Sequence, residues 1–210
     1  MKLSTTLYFS LLTLCMLCFG IISQGVLGTE TLLVNSLADI YTQEQLAQTL
    51  AFQNKWQWVG YVATPLLLLL KISIIALVLD AGMFFFDKQL KYKYIFSAVV
   101  KAEFVFLLVI IVKTAWLYLL VPNYTFEDVQ YFYPLSALSI VGYQGIEAWF
   151  MYPLQTLNVF EIAYWFLLAY FIGKQLKISY GKRFAIVASS YGVALVIWVV
   201  GIVFLTLHVS

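Results

Sequence analysis

The chain has 210 residues, 63% hydrophobic and 10% charged, with a net charge of +2. A soluble domain carries about 25% charged residues, and one of this size has no interior large enough to hide so much apolar surface. A soluble globular protein is excluded, and the near-neutral charge carries no nucleic-acid signature.

The lipid bilayer is the solvent this composition fits. In hydrocarbon only helices or closed barrels satisfy the backbone, and long uninterrupted apolar runs predict helices, since barrel strands alternate over short segments. The expected fold is therefore all-α: one polytopic transmembrane helix bundle over residues 1–210.

Five apolar segments follow in chain order. Lys2 precedes the first, from about Leu7 to Leu27. The others run from about Trp58 to Leu79, Ile95 to Val121, Leu154 to Ile172 and Phe184 to Leu207. Each approaches or exceeds the ~20 residues of a spanning helix. The first also has the features of a signal peptide: a leading lysine, an apolar stretch and the small residues Gly25 and Gly28. A retained helix gives five spans; cleavage gives four.

The charges between these segments alternate. Connector 28–57 holds Glu30, Asp39 and Glu44 against a single Lys55, and connector 122–153 holds Glu127, Asp128 and Glu147 with no cation. Connector 80–94 holds Lys88, Lys91 and Lys93 with Asp80 and Asp87. Connector 173–183 holds Lys174, Lys177, Lys182 and Arg183 with no acid. Cytoplasmic loops retain Lys and Arg, so the pattern predicts the amino terminus inside and the carboxyl terminus outside.

Both outer connectors have structure of their own. Leu32, Leu33, Leu37 and Ile40, then Leu46 and Leu50, recur near helical spacing among polar residues, which predicts an interfacial helix. Residues 124–153 are rich in Tyr, Phe and Trp around the apolar run Pro134–Gly142, which is too short to span. That suits a re-entrant or interfacial segment with an aromatic belt. It is either a membrane-surface loop anchored by its rings or a cap facing a ligand or partner.

Ionisable groups within apolar segments are costly and are functional candidates. Lys71 lies nine residues before Asp80, and Glu103 lies eight after Ile95. At ~1.5 Å per residue both sit ~12–13 Å from the inner face. Lys113 lies eight residues before Val121 and Glu161 seven after Leu154, which matches their depths from the outer face. Two ion pairs are expected, Lys71–Glu103 and Lys113–Glu161. Such pairs specify helix packing, line a proton or ion path, or dissolve if the charges reach opposite faces instead. Lys101 is close enough to the inner end to do so. In the last segment Ala185 with Ser189, and Ala188 with Gly192, form a small-residue packing face.

Enzyme signatures are missing. Cys15 and Cys18 form a CxxC spacing inside an apolar run with no second pair of ligands, and read as packing or lipid-facing residues. His208 is the single histidine, which excludes HExxH zinc chemistry. There is no GxSxG, P-loop or dinucleotide fingerprint, Asp80 before Ala81-Gly82 lacks a partner carboxylate, and the sequon Asn123-Tyr124-Thr125 abuts a span. Neither a metal nor a cofactor is implied.

The stretch from Leu157-Asn158-Val159-Phe160-Glu161 through Ala163-Tyr164-Trp165 to Gly173, followed by Lys177-Ile178-Ser179-Tyr180-Gly181-Lys182-Arg183-Phe184-Ala185, resembles the end of bacterial members of the Yip family. Phe86-Asp87-Lys88 to Tyr94 is similar to that family's inner loop, and the likeness covers roughly residues 57–207. The resemblance implies a five-helix bundle with a cytoplasmic amino terminus, in a bacterial inner membrane, with no enzymatic activity. The acidic-Leu-x-Gly-Pro element of eukaryotic members is missing, so a Rab-binding role does not carry over. The expected function is a scaffold or accessory subunit whose partners are the bilayer and other membrane proteins. The rival is a small transporter or channel using Lys71, Glu103, Lys113 and Glu161. A water-filled cavity joining Lys113, Glu161 and connector 122–153 favours transport; a dry, packed bundle favours scaffolding.

Overall fold

A computed structural model describes residues 4–38, 40–174, 176 and 178–209. Lys2, Asp39 and Lys177, which enter the charge pattern, lie outside the described residues.

Helix α1 (Thr5–Leu27) starts where the Ser4 hydroxyl accepts from the Leu7 N–H at 3.2 Å. It stops at Gly28, whose φ of +58° closes a left-handed cap that glycine takes without strain. Helix α2 (Thr29–Leu37) follows directly.

Helix α3 (Gln43–Phe85) runs for 43 residues. At ~1.5 Å per residue that is ~65 Å, twice the hydrocarbon core, so part of it lies outside any bilayer. A capping box starts it: the Thr42 hydroxyl accepts from the Gln45 N–H, and the Gln45 side chain accepts from the Thr42 N–H. No Gly or Pro interrupts the chain from Gln43 to Trp58. The stretch around Leu46 and Leu50, expected as part of a separate interfacial helix, is therefore the front of α3, and only Thr29–Leu37 stands alone.

Helices α4 (Tyr92–Ala102) and α5 (Val105–Leu120) form one apolar rod with a tightened turn at its joint. There the Phe106 N–H bonds to Glu103 and the Leu107 N–H to Phe104, a three-residue spacing in place of four.

Three short helices fill the next connector: α6 (Phe126–Tyr131), α7 (Ala137–Val141) and α8 (Ala148–Thr156). The apolar run Pro134–Gly142 becomes α7, with Leu138 buried and Ile140 87% exposed. Helix α9 (Val159–Gly173) follows α8 after a break of two residues, Leu157 and Asn158. The Leu157–Asn158 break is stitched to the connector: the Ala137 N–H bonds to the Leu157 carbonyl at 2.8 Å, and the Val159 N–H to the Leu135 carbonyl at 3.1 Å.

The last rod consists of α10 (Tyr180–Val187), a π-turn at Ala188–Gly192 and α11 (Val193–Val209). The wider turn shifts the helix register. As a result the expected pair Ala185 and Ser189 is exposed, while Ser190 meets Gly82 of α3 and Gly192 lies under Trp165 of α9. A Cβ on Gly192 would stand 2.6 Å from the Trp165 ring, so Gly192 of the expected pair Ala188 and Gly192 does form a close helix contact, while Ala185 and Ser189 do not.

Among the described residues, four rods are long and apolar enough to cross a membrane: Thr5–Leu27, Gln43–Phe85, Tyr92–Leu120 and Tyr180–His208. Helix α9 is apolar but shorter, at 15 residues or ~22 Å. It takes the centre of the bundle, packed against α4, α5 and α10. Helix α1 covers α4 and α5, α3 lies on α4 and on the π-turn, and α11 lies on α8.

Candidate functional site

Glu103 is the centre of a polar cluster inside this apolar bundle. Its side chain is 0% exposed, and both oxygens are occupied. Oε2 takes the Lys71 Nζ at 2.8 Å, and Oε1 takes the Tyr164 hydroxyl at 2.8 Å. The tightened turn between α4 and α5 holds the residue that must face α3 and α9 at once. Lys71 is 45% exposed and stands 4.3 Å from the centre of the Phe106 ring, a cation–π contact that adds to the ion pair.

Glu161 lies in the first turn of α9. Asn158 caps that turn, its Oδ1 accepting from the Glu161 N–H at 2.7 Å, while its Nδ2 donates to the Gln155 and Thr156 carbonyls. This buried asparagine thus satisfies the backbone on both sides of the α8–α9 break. The Glu161 carboxylate takes two neutral donors on one oxygen, the Tyr191 hydroxyl at 2.7 Å and the Trp165 indole N–H at 3.0 Å. Tyr191 comes from the π-turn, and its ring meets Tyr164 edge-on at 5.4 Å.

The two expected pairings therefore fare differently. Lys71 and Glu103 meet as an ion pair. Lys113 and Glu161 do not: among the described residues no cation lies within 4.0 Å of Glu161, and Lys113 is half-buried on α5 with no acid beside it. Matched depth fixes a height along the helix axis but not a direction around it. Glu161 points toward the π-turn. Sequence reading missed Tyr164, Trp165, Tyr191 and Asn158, which serve the carboxylates. The signal for Trp165 was present, because an acid and a donor four residues apart share a helix face.

Beside the cluster lies a cavity of about 730 Å³. Helix α3 walls it on one side with Leu70, Lys71 and Ile74, and α11 on another with Ala194 and Trp198. Glu161 and Tyr191 stand at its polar end, and Tyr133 and Tyr152 of the connector cover it. The cavity joins Glu161 to residues of connector 122–153, and Lys71, not Lys113, supplies its cation. Leu67, Leu70, Ile74 and Trp198 are exposed on the outer flank, so the mouth opens sideways between α3 and α11.

Fold and site together define an all-helical chain with four candidate membrane-spanning rods among the described residues, consistent with an integral membrane protein, and with a polar cluster and a side-opening cavity inside its bundle. Comparison with protein-family models, curated proteins and solved structures finds no match to the chain.

Proposed function

We propose that this chain is a non-enzymatic integral membrane protein of the Yip-like type that binds a small molecule in the α3–α11 cavity and passes it across the bilayer or to a neighbouring transporter. The observation that carries the reading is the cavity itself. Its volume of about 730 Å³ falls within the ~300–1,000 Å³ of ligand sites. A largely apolar wall with a few convergent polar groups is the usual lining of such sites.

In this reading α9 is the fifth span, in a bacterial inner membrane, with the amino terminus cytoplasmic and the carboxyl terminus outside. The charge alternation supports that sidedness. The stitched α8–α9 break supports a connector that re-enters the membrane, because irregular backbone at depth is tolerated where it is buried or lines a cavity.

The test is to fill the cavity. Ala194→Trp adds bulk at its wall without removing a hydrogen bond. In vesicles holding the purified protein, this variant is expected to fold yet lose ligand-induced thermal stabilisation across a panel of small amphiphiles. Equal stabilisation of the variant and the parent rejects the cavity as the site.

A scaffold role is the second reading, and one observation favours it. Phe52, Trp56, Trp58 and Tyr61 are all exposed on the amino-terminal half of α3, an aromatic surface suited to another membrane protein. Purification from native membranes that yields a stoichiometric partner, lost on Trp56→Ala with Trp58→Ala, supports this reading over the first.

A further inference from the structure

The cavity has a charge count as well as a shape. Lys71 and Glu103 neutralise each other. Glu161 receives only neutral donors, both on Oε1, and its Oε2 takes no donor among the described residues and is not sealed from the cavity. No further lysine or arginine lines the space. Tyr133, Tyr152, Tyr191 and Trp198 bring aromatic rings to the lining, and Tyr191 is in direct contact with Glu161. The Trp198 indole donates to the Tyr152 hydroxyl at 2.9 Å, which ties the cover to α11 and leaves the ring faces as the polarisable surface.

An ionised carboxylate in an apolar wall is expensive without a counter-charge. Aromatic faces attract cations and do nothing for anions. Beyond this polar end, Leu67, Leu70 and Ile74 lead to the side-facing mouth.

We infer that the cavity takes an amphiphilic organic cation, with its ammonium group at Glu161 Oε2 among the rings and its apolar tail along α3. This rests on the ligand-cavity reading above and names its ligand class. An anionic amphiphile would meet the unpaired Glu161 charge at close range. With a neutral one the carboxyl takes a proton instead of a counter-ion, so only a cation makes use of its charge.

The test uses the full-length protein in nanodiscs of zwitterionic lipid and three probes of one tail length: octyltrimethylammonium, octanol and octanoate. Binding is read from tryptophan fluorescence. The parent is expected to prefer the ammonium over octanol by at least about tenfold, which corresponds to ~1.4 kcal/mol, and to bind octanoate most weakly. Glu161→Gln is expected to remove the preference while keeping octanol binding. If Glu161→Gln fails to fold, Leu70→Trp replaces it: blocking the tail path should weaken octyltrimethylammonium and octanol alike. Equal affinity for all three probes, or a preference that survives Glu161→Gln, overturns the cation assignment but leaves a ligand cavity. No saturable binding of any probe overturns both.

Discussion

Tyr164 donates its hydroxyl to Glu103 Oε1 at 2.8 Å while Lys71 holds the other oxygen at 2.8 Å, so one buried carboxylate ties α9 to α3 through the α4–α5 joint. Removing the cation alone leaves a charge without compensation. Lys71→Met is therefore expected to destabilise the bundle by about 3 kcal/mol, the lower end for a buried pair because Lys71 is itself half exposed. The double variant Lys71→Met with Glu103→Gln removes both charges, keeps an acceptor for the buried Tyr164 hydroxyl, and should recover much of that loss. Thermal unfolding in nanodiscs reads the pair. Additive losses in the double variant would mean that the two charges do not share one interaction.

The contact between Gly82 and Ser190 predicts a second, independent result. A Cβ at Gly82 would overlap the Ser190 side chain, and both residues sit in packed helices with no room to give. Gly82→Ala is expected to cost about 1–3 kcal/mol through overpacking. Ser190→Gly should relieve it when combined with Gly82→Ala, although the π-turn then loses the Ser190 bond to the Ile186 carbonyl. Thermal unfolding of the two single variants and the double checks this, and a double variant less stable than Gly82→Ala contradicts it.

How much of this was legible beforehand follows from the kind of signal each feature leaves. Apolar length is written plainly in the chain, so the four long rods were readable, although α3 runs well beyond the expected Trp58–Leu79 and α9 falls short of a span. Depth could be counted, which placed Lys71 level with Glu103. Azimuth could not, because the π-turn at Ala188–Gly192 rotates everything beyond it and leaves no mark in composition. For that reason Tyr191 as the partner of Glu161, and Ser190 as the neighbour of Gly82, became visible only in three dimensions. The cavity was equally hidden, since it exists only where α11 leans on α8 and α3 leans on the π-turn.

Outside the long helices, Asp128 gives a pH dependence with a defined sign. Burial raises its carboxyl, but the Thr125 N–H, the Thr125 hydroxyl and the Tyr143 hydroxyl together outweigh that and hold it below its ordinary value. A depressed carboxylate contributes stability that is present above its ordinary pKa and lost as pH falls through the lowered one. Protection of Phe126–Tyr131 against hydrogen exchange, taken relative to the intrinsic rate at each pH, should therefore fall at acid pH below the ordinary aspartate range. Asp128→Asn should show low protection at all pH values and no such acid step. A step that persists in the variant assigns the effect to another group.

The sidedness of α9 yields the last prediction. Its 15 residues reach ~22 Å, short of a ~30 Å hydrocarbon core. A short span is accommodated by local thinning of the bilayer and by flanking residues that reach the interface. Lys174 is placed for this, its Nζ lying 4.7 Å from the Tyr170 ring. At the other end α8 continues the path of the chain after a two-residue break. If α9 crosses, Glu147 and Lys182 lie on opposite faces; if it only dips into one leaflet, they share a face. In a background with Cys15→Ser and Cys18→Ser, Glu147→Cys and Lys182→Cys are labelled in intact cells with a membrane-impermeant maleimide. The expected outcome is labelling of Glu147→Cys alone, with Lys182→Cys reacting only after the membrane is opened. Labelling of both in intact cells removes α9 as a span and, with it, the positive-inside orientation that Lys174, Lys182 and Arg183 define.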